Sequence, residues 1–280
     1  MPSSASPSIW YVYGVVPSSA ATGAGSAAPP ESAGLDEAPV EFEVEGHAAA
    51  LVSVLRGPDY EPDAVETNGG DVDWVGPRAV AHDRVLTWAS DRGPVVPMPM
   101  FSLFSGRDAV HAMLRDRAAA LGDALARAAR GREYALRVFR VDAEMLSAVA
   151  RLSPKLRELA AAAAAAAPGQ RYLLERKLDA ARRGEMRGVT REVVESIVAD
   201  LGRHAVETAR PPIPRTEAPD GASSGTMVLN AAFLIAPDSL AGFQKTLTNL
   251  VEEHGANGLR FDFTGPWPPY HFVGGVPDGR

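Results

Sequence analysis

The sequence contains no cysteine. That removes disulfides, thiolate metal sites and cysteine nucleophiles together, and it fits a reducing compartment. Long apolar runs are missing as well. A membrane-spanning helix needs ~20 consecutive apolar residues, and the nearest approach, the alanine run Ala160–Ala167, is short and weakly hydrophobic. No basic region precedes the brief apolar stretch near the N-terminus, so a secretory leader is not expected. Positive charge is not in excess: the formal net charge is −7, which leaves no electrostatic footprint for nucleic acid or anionic lipid. These absences imply a cytoplasmic protein with no membrane insertion and no nucleic-acid partner.

What remains is a globular composition, 46% apolar and 22% charged over 280 residues, enough for one large or two ordinary domains. Ile9–Val16 is expected to be a strand covered on both faces, with Ile9, Tyr11, Tyr13 and Val15 on one side and Trp10 and Val12 on the other. Residues 17–39 are rich in Ala, Ser, Gly and Pro and read as a flexible loop. Val40–Glu45 alternates, which puts Val40, Phe42 and Val44 inward and Glu41, Glu43 and Glu45 in solvent. His47–Leu55 reads as a short helix. Trp74, Ala81, Val85 and Trp88 recur at helical spacing. Val95–Met100 holds Pro97 and Pro99, so it suits only a sheet edge or an irregular extended segment.

Arg107–Arg130 reads as one helix that Gly131 stops, and the domain boundary is placed there. Residues 1–130 form an N-terminal α+β domain and 131–280 a C-terminal one. In the second, Tyr134–Val141 is a strand, and a helical insertion covers about 153–210. It opens with Ser153 as a cap, Pro168-Gly169 ends its first helix, and Gly184 and Gly188 kink its second. Residues 211–225 read as a second flexible loop. Met227–Ile235 is a buried strand, a helix runs to Gly255, and Leu259–Phe263 closes a β-α-β unit whose right-handed crossover makes its strands parallel.

Chemical motifs are few. Gly221–Gly225 matches G-x-S-x-G around Ser223, with Asp238 and His254 following in the order a hydrolase would use. A nucleophile elbow needs a strand before the serine and a helix after it; here a loop precedes and a strand follows. A flexible loop is the better account, and Ser223 stays the one residue on which a hydrolase reading can stand. Histidines at 47, 82, 111, 204, 254 and 271 form no ligand spacing, so neither metal nor cofactor is expected. The basic residues from Arg171 to Arg191 alternate with Glu175, Asp179 and Glu185, as on a solvated helix face. No catalytic set emerges.

The C-terminal stretch GPWPPYHFV, Gly265–Val273, is different in kind. Displayed, it would be a polyproline segment that docks on an aromatic groove of a partner, and a protein acting as a general peptide-binding adaptor would need Trp267 exposed. Packed, it is a rigid clamp in which Trp267 and Tyr270 lie against a sheet. The absence of a linker after the preceding strand favours the clamp.

These residues carry a resemblance. LNAAFLI at Leu229–Ile235, a helix containing AGFQ, and LRFDFTGPWPPYHFV at Leu259–Val273 resemble the C-terminal signature of the gas vesicle GvpL/GvpF family. WYVYGVV (Trp10–Val16), AVAHDRVL (Ala79–Leu86), YALRVFRVD (Tyr134–Asp142) and PGQRYLLERKLD (Pro168–Asp179) agree in order. The signature hexapeptide is Gly265, Pro266, Trp267, Pro268, Pro269 and Tyr270. One departure is Pro97-Met98-Pro99-Met100-Phe101, which lacks the basic residue and glycine of the family's segment.

The resemblance implies an α+β fold of two domains with ferredoxin-like β-α-β elements, the second carrying a helical portion. It implies an accessory protein of gas vesicle formation, not an enzyme, located in the cytoplasm with vesicles. Its partners would be the hydrophobic shell protein and other accessory proteins. The proline-interrupted edge offers Met98, Met100, Phe101 and Phe104 as contact residues, since methionine suits adaptable apolar contact.

Overall fold

The computed structural model describes residues 8–22, 29, 33–214 and 225–273. The chain divides into two compact units: Met1–Glu133 together with Pro266–Arg280, and Tyr134–Gly265. The C-terminal segment therefore groups with the first unit, whereas a boundary at Gly131 assigns it to the second.

In the first unit the elements are β1 (Ile9–Pro17), α1 (Ser18–Thr22), β2 (Glu41–Glu45), β3 (Ala48–Leu55), α2 (Pro62–Asn68), α3 (Val72–Ser90), β4 (Val96–Pro97), β5 (Leu103–Phe104), α4 (Arg107–Asp116) and α5 (Ala118–Ala128). The sheet order is β2-β3-β1-β4, with β5 also paired to β1, and every pair is antiparallel.

β1 slips its register against β3 between Val12 and Gly14. A Cβ on Gly14 would sit 2.8 Å from a Leu86 methyl and 2.9 Å from the Val96 carbonyl oxygen, so only glycine lets β4 and α3 close in here. The bulge also resets the side-chain alternation. Tyr11, Tyr13 and Val16 join one core and Val12 and Val15 the other, so Val15 lies opposite to its strict-alternation face.

His47–Leu55 is not a helix: β3 occupies Ala48–Leu55. It pairs with β1 on one side and β2 on the other, which satisfies its backbone polar groups. Ala49 and Leu51 face α3, while Ala48, Ala50 and Val52 face α4 and α5. Alanine's helix preference is overridden where both faces of a strand are covered. The same double covering inverts part of β2. Glu43 is buried and Val44 is 37% exposed, because the expected solvent face lies under α4. The expected helix 107–130 is two, divided at Arg117 (φ −107, ψ 13).

The second sheet is formed by β6 (Arg132–Arg140), β7 (Glu207–Ala209), β8 (Thr226–Ile235) and β9 (Leu259–Trp267), in the order β7-β8-β6-β9. Counting strands within each sheet, both follow the same second-third-first-fourth order, that of a split, ferredoxin-like β-α-β fold. β6 thus lies between β8 and β9, which are not neighbours.

Between β6 and β7 come α6 (Asp142–Leu152), α7 (Pro154–Ala165) and α8 (Pro168–Gly202), and α9 (Leu240–Gly255) joins β8 to β9. Ser153 Oγ accepts the Leu156 N–H at 3.2 Å and caps α7. Pro168 opens α8 rather than ending α7, as suits a first-turn proline. α8 continues through Gly184 and Gly188 without a kink, and a Cβ at either would meet nothing within 4 Å. It stops at Gly202, so that Glu207–Ala209 can pair with β8. Tyr134, Leu136 and Val138 of β6, with Leu229, Ala231, Phe233 and Ile235 of β8, build one core with Phe243 and Leu247 of α9 and Ile197 and Leu201 of α8.

Candidate functional site

The segment after α3 closes the free edge of β1 in two short pieces. Val96 and Pro97 pair with Val15 and Gly14, and Leu103 and Phe104 with Tyr11 and Trp10. Proline at 97 and 99 removes two donors, which keeps the β4 ladder short. Met98 nonetheless donates its N–H to the Tyr13 carbonyl at 2.9 Å, and its side chain is 4% exposed within the core. Phe101 has a left-handed backbone (φ 64), uncommon for a bulky residue. Its ring stacks on Trp74 at 5.2 Å and meets Tyr11 edge-on at 6.4 Å, and its N–H donates to the Tyr11 hydroxyl at 3.3 Å. Met100 and Phe104 are half-buried.

Beneath this segment His82 is buried, and burial pulls its imidazole down to about 4. Its ring bonds the Met98 backbone, and Nδ1 lies 2.7 Å from the Tyr11 hydroxyl. A neutral imidazole that donates to a carbonyl must accept at its other nitrogen, so Tyr11 donates here. This is a satisfied core histidine.

The GPWPPYHFV stretch continues β9 through Gly265, Pro266 and Trp267. Gly265 has φ +128, a region closed to side chains, which accounts for the glycine that opens the signature. The clamp is made by residues other than those expected. Trp267 and Tyr270 are 38% and 41% exposed, whereas Phe272 and Val273 are 4% and 6%, and Pro268 and Pro269 are buried. The His271 N–H donates to Glu133 Oε2 at 3.0 Å, and its Nδ1 lies 2.6 Å from Oε1. Arg127 donates to the Phe272 carbonyl and Tyr270 to Asp83. Burial pushes the Glu133 carboxyl up, and the bonds from His271 pull it partly back.

A charged cluster that the sequence reading missed joins α4 to β2. Arg107 reaches Glu43 at 2.7 Å, and His111 places Nε2 2.9 Å from Glu43 and Nδ1 2.8 Å from Glu45. Arg115 reaches Glu45 at 3.2 Å. Carboxylates only accept, so both ring nitrogens of His111 donate and the ring is an imidazolium. Its pKa is raised, first by Glu43 and then by Glu45, and that of Glu45 is lowered, chiefly by His111. The available signal was His111 and Arg115 one helical turn apart, facing alternate glutamates of a strand.

No nucleophile, acid and base converge among the described residues. Among the described residues no cluster of three His, Cys, Asp or Glu could hold a metal. Ser223 lies outside the described residues. Asp238 and His254 lie at opposite ends of α9, whose 16 residues span ~24 Å at 1.5 Å per residue. The first unit has open clefts of about 400 Å³ beside Asp36 and Tyr60 and about 300 Å³ beside Phe42, Trp88 and Arg92. In the former, Tyr60 donates to Asp36, and both are held by Arg78.

A family model described as gas vesicle synthesis protein GvpL/GvpF matches residues 9–274. The chain belongs to the GvpL/GvpF family. Gas vesicle protein L1 of Halobacterium salinarum is 27% identical over 272 residues, covering 94% of this chain and 89% of its own. Gas vesicle protein F of a Streptomyces species is 28% identical over 265 residues, covering 94% and 98%. The crystal structure of the gas vesicle protein GvpF from Anabaena superposes with a TM-score of 0.65 at 19% identity, over 95% of this chain and 98% of that one. GvpF from Microcystis aeruginosa gives 0.61 at 18%, over 96% and 99%. The mixed helix-and-sheet fold with two antiparallel sheets is that of the GvpF structures. The GvpL/GvpF family is one of gas vesicle accessory proteins and not a known enzyme class. Among the described residues no helix is long and apolar enough to cross a membrane.

Proposed function

We propose that this GvpL/GvpF protein acts in the cytoplasm, associated with gas vesicles, by binding the hydrophobic shell protein and other accessory proteins during assembly. A wall that presents an apolar face to gas is built from subunits prone to aggregate, and an accessory protein helps by meeting that face with apolar surface of its own. Family membership over nearly the whole chain supports the role. The observation that carries the contact reading is the C-terminal signature. Buried Pro268 and Pro269 hold Trp267 and Tyr270 partly in solvent on a stiff backbone. Such aromatics contribute contact area at little cost in conformational entropy.

Of the edge residues, Met98 belongs to the interior and Phe101 to an aromatic stack, which leaves Met100 and Phe104 as the contact candidates of that segment. Co-purification with the shell protein tests both patches. Loss of binding in a folded Trp267→Ala/Tyr270→Ala variant, with retention in Met100→Ser, assigns contact to the signature. Unchanged binding in both sets removes these sites. The exposure of Trp267 also meets the requirement of a general peptide-binding adaptor. Quenching of its fluorescence by an unrelated proline-rich peptide, as strongly as by the shell protein, would favour that second reading.

A further inference from the structure

α8 is 35 residues long, and its buried residues, Met186, Thr190, Val194, Ile197 and Leu201, all lie in its C-terminal half. The N-terminal half packs with α7 as an antiparallel hairpin, turning Leu178 and Ala181 inward. Its opposite face is open. Tyr172 and Leu173 are 59% and 67% exposed. At about 100° per residue, Tyr172, Leu173, Arg176, Lys177, Arg183 and Arg187 share one arc of the helix, and no acidic residue falls inside it. Glu175, Asp179 and Glu185 project from the remainder of the circumference, where Asp179 and Glu185 pair with Arg182 and Lys155. The four cations of the open arc make no ion pair among the described residues. From Arg151 to Arg191 there are ten basic and four acidic residues, in a chain whose net charge is −7.

The first unit carries the opposite pattern. Residues 57–77 contain six acidic residues and no Lys or Arg. They include Glu61, Asp63, Glu66, Asp71 and Asp73, all exposed along α2 and the start of α3. Val72, the most exposed large apolar residue described, stands among them at 79%.

We propose that these two surfaces are halves of one interface: the open α8 face of one copy docks on the acidic α2–α3 ridge of a second copy. Each half offers an apolar centre, Tyr172-Leu173 on one side and Val72 on the other, ringed by charge of a single sign. Complementary rims of this kind steer association and set register. Two different patches meet, so the contact is heterologous, and its repetition gives a ring or an open chain rather than an isologous dimer. The inference is independent of which vesicle component the protein binds.

Sedimentation of the full chain over a range of concentrations tests it. Mass should rise with concentration at low salt and fall toward the monomer at high salt. Arg176→Glu/Arg183→Glu and, separately, Asp63→Arg/Glu66→Arg should each weaken self-association by about tenfold or more, with unchanged circular dichroism and melting. Mixing the two variants should restore association, because the reversed helix face then meets the reversed ridge. A chain that stays monomeric at low salt overturns the proposal. So does self-association that ignores both charge reversals, and so does a failure of the mixture to recover.

Discussion

The two sheets share one strand order but are covered differently. In the first, apolar clusters lie on both faces, so β1 and β3 are buried on both sides and polar groups are trapped with them: Glu43, Ser53 and His82. Each has found a partner, in Arg107 and His111, in Tyr13 and the Pro39 carbonyl, and in Tyr11. The second sheet puts its core on one continuous cluster, with Phe233, Phe243 and Phe263 in contact at 5.1 and 5.5 Å. Double covering makes a unit depend on satisfied polar contacts, while single covering makes it depend on volume.

The largest effect is expected in the second core. Phe243→Ala should cost about 3–5 kcal/mol, as for other buried phenylalanines; chemical denaturation measures it, and a loss under 1 kcal/mol would deny that volume governs this unit. In the first unit Glu43→Ala should cost ~1.5–3 kcal/mol, the range for hydrogen bonds to charged groups, since the buried carboxylate meets Arg107 and His111. Glu43→Gln should recover part of it.

A third effect depends on pH. The folded pKa of His111 is raised, so its contribution is fully present below its ordinary 6.5 and is lost as pH climbs through the raised value. That of Glu45 is lowered, so its contribution is present above 4.5 and is lost as pH falls through the lowered value. The melting-temperature difference between the wild type and His111→Gln should therefore peak between these two ordinary values and shrink on both sides. A flat difference would mean that the cluster is not coupled to folding.

The smallest effect belongs to the signature. Trp267→Ala should change stability by roughly 1 kcal/mol or less, as for an exposed position, whereas Phe272→Ala should approach the cost of Phe243→Ala. Equal losses would return Trp267 to the role of clamp.

Much of the second unit was legible because its signals are local. Ser153-Pro154 starts a helix where a cap and a first-turn proline coincide, and Leu229–Ile235 is apolar enough to be a central strand whatever surrounds it. The first unit was read less well for a physical reason. Ala48–Leu55 is a strand because β1 and β2 flank it, Glu43 is buried because α4 lies over it, and Val15 changes face because Gly14 admits a bulge. Of these neighbours, β1, α4 and the Leu86 and Val96 that crowd Gly14 all lie far off in sequence. The contact candidates fared similarly: Met98 and Met100 have the same local pattern, and only packing makes one core and leaves the other half-exposed.

Composition and order of residues alone determined an α+β chain without thiol chemistry, with a basic helical insertion in an acidic protein and a stiff C-terminal signature of recognisable kinship. Tertiary structure decided which of those residues meet water. Alternation and propensity describe a segment with one neighbour on one side; once helices cover both faces of a sheet, burial is set by what arrives from elsewhere in the chain.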